Sequence, residues 1–463
     1  MTQATLVRTP SPRSARILLP LAWLALAATV LTWLTRTPVG VLREQLKSLQ
    51  FWSLELCFVL VVALGAAVLY RVARGLTARD AIRMVALASA ALVLTLYVAP
   101  RTNRIYYDEQ IYQGIGQNLT DLRLAQMCND GSVEYGRLQC FSGEYNKQPY
   151  AFPHLLSVAY RVFGVHESTA FLVNAVVMAL TTCAVYLLVL LLFDSQLGAM
   201  FAALLLLLTP QQLVWSATAA AEPSAALACV VAMLLASEFS RSKETIALAA
   251  TAVASAYAVQ FRTESLLILP IVALALWPHR REVARPRLWW IGLLAGILLA
   301  VHVAHLFAVR HEGWGTSGER LSLGYLTTNL RVNLWFYLGD WRFPAAYSAL
   351  ALLGLSGGGR PRARLVVCAW FLAFFGIFLL FYAGSYNYGA DVRYSLMTYA
   401  PLAGLGGIGA ARVVAWVRRL WAGPWAEAAV VAAIVFVFLW YAPLVRATTE
   451  EAWAARADVR GGP

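Results

Sequence analysis

The sequence predicts an all-α protein that crosses a membrane many times. Three observations carry that expectation. Of 463 residues, 60% are hydrophobic and 13% are charged, too little polar surface to coat a water-soluble body of this length. The apolar residues fall in runs of about 15 to 25, the length a helix needs to cross a hydrocarbon core, rather than in the ten-residue alternation of a membrane barrel. Arginines gather in the short segments between those runs, so the net charge of +13 reports membrane topology and gives no support to nucleic-acid binding.

Taken in order, Arg8, Arg13 and Arg16 precede an apolar run at about 17 to 35. The start is that of a secretory signal, but the run has helix length and no small-x-small cleavage site before Thr35, so it reads as a retained first helix with a cytoplasmic N-terminus. Runs at about 51 to 70 and 83 to 99 follow, and Arg71, Arg74, Arg79 and Arg83 between them mark an inside turn. The polar stretch 101 to 148 is then a large external loop. Within it Ile111, Ile115, Leu119 and Leu122 recur at spacings of three and four, the pattern of an amphipathic helix lying on the membrane. Phe152, Leu155, Leu156, Ala159, Tyr160 and Phe163 mark a second such helix, ended by Gly164. Cys128 and Cys140 flank the turn signal Asn129-Asp130-Gly131, and in an oxidising compartment the two are expected to join across a short hairpin.

Further spans are expected at about 168 to 192, 197 to 209 and 213 to 238, then two short runs at 245 to 260 and 264 to 277. Arg280, Arg281, Arg285 and Arg287 return the chain to the cytoplasm before a span at 288 to 309. The segment 311 to 343, rich in Trp, Tyr and Gly, reads as a second external loop. Runs at about 345 to 356, 365 to 383, 395 to 414 and 427 to 445 bring the count to about thirteen helices, with a C-terminal tail outside.

Chemistry centres on Asp108 and Glu109, adjacent carboxylates set among Tyr106, Tyr107 and Tyr112 where an apolar run meets water. A carboxylate in the first turn of a helix is a cap in the plainer account, but an acidic pair at a membrane edge also suits a reaction centre. Glu222 stands inside an apolar run beside Pro223, where an unpaired carboxylate is costly, and pairing with Arg262 would relieve it. His302 and His305 are three apart on a helix, yet no third metal ligand is placed with them. No phosphate-binding glycine loop, CxxC pair or HExxH is present.

Five separated stretches, in order, resemble the GT-C class of membrane glycosyltransferases, specifically the protein-mannosyltransferase and aminoarabinose-transferase relatives. They are Tyr107-Asp108-Glu109-Gln110, Asn146-Lys147-Gln148-Pro149, Ala221-Glu222-Pro223-Ser224, Phe261-Arg262-Thr263-Glu264 and Asp391-Val392-Arg393-Tyr394 with Pro401 beyond. Gln148 stands where the resemblance leads one to expect a proline after the lysine. Three helices, not one, precede the acidic pair, so 1–82 reads as an added helical pair, 83–414 as the catalytic core and 415–463 as a last helix and tail.

The resemblance implies transfer of a sugar from a polyprenyl-phosphate donor to a hydroxyl on a lipid, glycan or protein; the charge topology sets this on the external face, and the basic composition with alanine- and arginine-rich loops points to a bacterial inner membrane. The resemblance implies Asp108 as general base with inversion at the anomeric carbon, Glu109 beside it, and Lys147, Arg393 and Arg262 on the leaving phosphate. Each cation also has a plain account as a residue reaching for the membrane surface. No metal ligand set is placed, and the need for a divalent metal is left open. A flippase for lipid-linked sugars and a lipid-glycan ligase or polymerase are the competing readings, since either would need charges at the midplane and the outer face.

Overall fold

The computed structural model describes residues 12–313, 318–357, 359–387, 389–420 and 425–441. Each expected apolar run holds a helix. Among the described residues eight are long and apolar enough to cross a membrane: Leu18–Arg36, Val39–Arg74, Ala78–Val98, Glu167–Phe193, Glu222–Ser242, Trp289–Ala308, Pro361–Leu380 and Asp391–Leu420. A ninth forms if Gln196–Leu207 and Pro210–Ser216, bent by 62° at their junction, count as one span. Thr245–Ala258, Ala345–Leu355 and Ala426–Tyr441 are shorter, and Ile268–Leu276 has nine residues. The expected count of about thirteen crossings is thus met by eight or nine helices of spanning length among the described residues, with the shorter apolar helices making up the remaining runs. The external C-terminal tail and the first arginine lie outside the described residues.

The amphipathic helices occur as expected, at Tyr106–Asp121 and Ala151–Phe163, and the second stops at Gly164 with φ +84°. Between them Met127–Glu134 pairs antiparallel with Arg137–Glu144, and Cys128 is bonded to Cys140 across the pair. The turn is not at Asn129-Asp130-Gly131, which lies in the first strand where the register shifts. It is at Tyr135-Gly136, both left-handed at φ +52° and +76°, the backbone a two-residue hairpin needs.

Two helices exceed the expectation. Val39–Arg74 runs for 36 residues, beginning twelve before the apolar run because Arg43, Glu44, Lys47 and Gln50 mask its helical pattern. It packs against Thr245–Ala258 and Trp289–Ala308, and the carbonyl of Lys47 accepts from the Ala125 amide while its ammonium reaches the Gly143 carbonyl. The segment 311 to 343, expected as loop, contains the helix Leu326–Leu338. Its Asn329 and Asn333 amides donate to the carbonyls of Phe378, Leu379, Phe381 and Gly384, so polar residues that look like loop formers are buried anchors. Elsewhere helices touch backbone to backbone: a Cβ at Gly409 would strike the carbonyl of Leu350, and one at Gly354 that of Leu405.

Candidate active site

The run expected at 213 to 238 is broken. Pro210–Ser216 ends, residues 217–221 turn, and a new helix opens at Glu222 with Pro223 in its first turn, where a missing N–H costs nothing. Asn174, two turns into Glu167–Phe193, holds this break by donating to the carbonyls of Thr218 and Ala220, both at 2.8 Å. Its own side-chain oxygen accepts from Ser224 at 3.2 Å. Sequence reasoning passed over Asn174; an amide inside an otherwise apolar span was the available signal.

Glu109 closes the same region from the other side. One carboxylate oxygen accepts from the amides of Arg104 and Ile105 at 2.9 and 3.0 Å, and the other accepts from Ala219 at 2.8 Å. The residue has no exposed surface. Burial pushes its carboxyl up to about 7, against the pull of the three amides. Both of its carboxylate oxygens are taken by backbone amides, so Glu109 braces the start of Tyr106–Asp121 against the turn that leads to Glu222.

Asp108, one residue earlier and about 100° around the helix, faces a different way. Its Oδ2 lies 3.2 Å from an Arg393 nitrogen, and its Oδ1 accepts from Gln148 at 3.4 Å. Arg393 also places Nε 3.1 Å from Glu222 Oε1, and Arg262 donates to that same oxygen at 2.6 Å. Arg262 then pairs with Glu264 at 2.5 Å. The result is a chain of alternating charge, Asp108, Arg393, Glu222, Arg262, Glu264, drawn from four separate parts of the sequence. Beneath it lies the Tyr394 ring, 5.5 Å from the Arg262 guanidinium and 5.1 Å from that of Arg393, itself stacked on Phe378 at 4.5 Å. Planar guanidinium groups rest well on such a platform.

Glu222 is 1% exposed and its Oε2 has no hydrogen-bond partner among the described residues. Asp108 is the carboxylate of the chain's outer end, with its side chain 20% exposed. Lys147 stands apart: its ammonium donates to the Gly313 carbonyl at 2.6 Å, and it is the neighbouring Gln148, occupying the position where a proline was looked for, that touches Asp108. His302 and His305 stack with ring centres 5.8 Å apart, and His305 Nδ1 meets the Tyr145 hydroxyl at 2.8 Å. Among the described residues no three His, Cys, Asp or Glu side chains converge as a metal site.

Chemically, the cluster offers one solvent-reachable carboxylate with its charge already neutralised, and two arginines of which each has a second partner. A dianionic or monoanionic ester can compete with carboxylates for such guanidinium groups.

The profile of the dolichyl-phosphate-mannose-protein mannosyltransferase family matches residues 147–305, less than half of the chain. No curated protein matches the sequence. In three dimensions the chain is similar to ArnT from Cupriavidus metallidurans bound to undecaprenyl phosphate, with a TM-score of 0.50 and 16% identity over 84% of this chain and 73% of that one. It is also similar to the archaeal oligosaccharyltransferase AglB from Archaeoglobus fulgidus, in complex with an inhibitory peptide and a dolichol-phosphate, at a TM-score of 0.53 and 14% identity over 81% of this chain and 56% of that one. At such identities the likeness is one of fold. That fold is the GT-C fold of membrane glycosyltransferases, which the separated motifs resemble.

Proposed function

Taking the GT-C fold as the premise, we propose that this chain moves a sugar from a polyprenyl-phosphate donor to a hydroxyl acceptor, with Asp108 as the general base. The observation that carries the reading is the placement of Asp108 at the outer end of the charge chain, held by Arg393. The donor class is supported by the two similar structures, whose bound lipids are undecaprenyl phosphate and dolichol-phosphate. The acceptor is a lipid, glycan or protein hydroxyl.

In the proposed step the acceptor oxygen attacks the anomeric carbon, the bond from that carbon to the phosphate oxygen breaks with its electron pair going to the phosphate, and Asp108 takes the acceptor proton. Direct displacement inverts the anomeric configuration. Arg393 holds the leaving phosphate, helped by Arg262, while Lys147 exchanges the Gly313 carbonyl for it. A phosphate arriving at Arg393 takes the place of the Asp108 carboxylate, so the base is released when the donor is seated. Glu222 keeps both arginines in position, and Glu109 keeps Asp108 at the right height. In this reading, which the arginine-rich turns between helices support, this end of the bundle faces outward from a bacterial inner membrane, with residues 1–82 as an added pair beside the catalytic core.

The test is transfer of radiolabelled sugar from synthetic polyprenyl-phosphate donors in membranes carrying wild type or Asp108→Asn, at matched expression and melting temperature. Transfer by wild type and its loss in the folded variant is the expected result. Undiminished transfer by Asp108→Asn would overturn the base. Movement of lipid-linked sugar across the bilayer without consumption of the donor would overturn the reaction itself and favour transport.

A further inference from the structure

At the end of the bundle away from Asp108 a crevice of about 950 Å³ opens between the helices Pro12–Arg36, Thr245–Ala258, Ile268–Leu276 and Trp289–Ala308. Leu24, Leu248, Val272, Ile291 and Leu299 make its walls apolar. One wall is set by Trp23, whose ring lies against Gly292 and Gly296, where side chains would exclude it. The crevice is not sealed, since Leu24 and Trp277 on its lining are well exposed. Its size is at the upper end of small-molecule sites, and an apolar space of this kind does not hold water.

The mouth has a different chemistry. Arg280 lines it, lying over the Trp277 ring at 5.1 Å and donating to the Trp277 carbonyl at 3.3 Å. Arg281 follows on the short helix Arg280–Val283 and Arg285 just beyond its end, all three exposed, and none makes an ion pair with a carboxylate among the described residues. Glu282 is the carboxylate within the group. Arginine pairs bidentately with phosphate, and Trp277 and Trp289 are the residues that favour the level of lipid headgroups. An apolar slot open to the side, capped between tryptophans by three arginines that outnumber Glu282, matches one amphiphile.

We infer that this crevice binds a single anionic phospholipid of the bilayer, its acyl chains between the first helix and Trp289–Ala308 and its phosphate on Arg280, with Arg281 and Arg285 supplying long-range attraction. The site is separate from the proposed donor site. Arg262 and Arg280 stand at opposite ends of one path through residues 263–279, made of two short 3-10 turns and the helix Ile268–Leu276. The inference does not rest on the transferase reading, and its test needs no activity.

The experiment is native mass spectrometry of the purified, delipidated full chain with dioleoyl phosphatidylglycerol or dioleoyl phosphatidylcholine added. Wild type is expected to retain one phosphatidylglycerol in preference to phosphatidylcholine. Arg280→Gln should weaken that retention about fivefold, the effect of removing one basic residue near an anionic surface. Ala295→Phe, which fills the slot, should abolish retention of either lipid; if that variant does not fold, the exposed Arg280 carries the test. Equal retention of both lipids, normal retention by Arg280→Gln, or displacement of phosphatidylglycerol by undecaprenyl phosphate would each overturn the inference.

Discussion

The cluster around Asp108 and the arginines around Arg280 handle charge in opposite ways. Around Asp108, two arginines and three carboxylates are packed into an alternating chain, and Glu222 in its centre is 1% exposed. Around Arg280, the arginines are exposed and without carboxylate partners among the described residues. Exposed basic residues beside a membrane cost little and orient the chain, whereas each buried ion costs several kcal/mol to desolvate unless partners compensate. The difference teaches where to look for chemistry: several buried charges that share partners, as around Asp108, are a stronger lead than exposed arginines, or than the lone buried Asp80, which caps a helix.

The comparison can be broken experimentally, and the largest effect should come from its outermost carboxylate. Asp108→Asn is expected to lower transfer by about 100-fold to 10,000-fold, the usual worth of a positioned general base, with the melting temperature retained. Next comes the centre. Glu222→Ala leaves Arg262 and Arg393 without their shared partner, and loss of one member of a buried pair costs about 3–5 kcal/mol, so thermal melting in detergent should fall together with transfer. A variant as stable as wild type would mean that water or Glu264 satisfies both guanidinium groups.

A smaller effect separates Glu109 from its neighbour. Its carboxyl sits at about 7 in the folded chain against an ordinary value of 4.5, so the folded state holds the proton more tightly than the unfolded one. Its contribution to stability is full below 4.5 and is lost as pH rises through about 7. Melting temperature followed from pH 4.5 upward should therefore decline through that window in wild type, and Glu109→Gln should flatten the decline. An unchanged slope would show that other groups set it. Smallest of all, Arg285→Gln at the far end is expected to leave both transfer and melting temperature unchanged, measured by the same assay.

Much of the helical order was legible because apolar run length is a direct physical demand of the bilayer, and the amphipathic pair at Tyr106–Asp121 and Ala151–Phe163 showed its period plainly. Polar residues inside helices hid what lay beyond. Arg43 and Lys47 concealed the first turns of Val39–Arg74, and Asn329 and Asn333 made a helix look like loop until the carbonyls they serve were seen. At the site, Asp108 and Glu222 were legible as carboxylates in costly places, the pairing of Glu222 with Arg262 followed from that cost, and Arg393 was legible through the resemblance. The division of labour between Asp108 and Glu109 was only half legible. Helix geometry separates their directions, but Ala219, whose amide claims Glu109, lies 110 residues away and carries no side-chain signal. Gln148 was read as a departure, and only its contact with Asp108 shows what an amide does there that a proline could not.

The long helix Val39–Arg74 has a consequence for scale. Its 36 residues measure about 54 Å, against a hydrocarbon core of about 30 Å. The end that reaches the disulfide-bonded hairpin, through Lys47, is part of the same rigid rod. The hairpin's distance from the bilayer is thus gauged by a rod and not by a slack loop. Removing a single helical turn between the bilayer and Lys47 would lower the hairpin by about 5.4 Å.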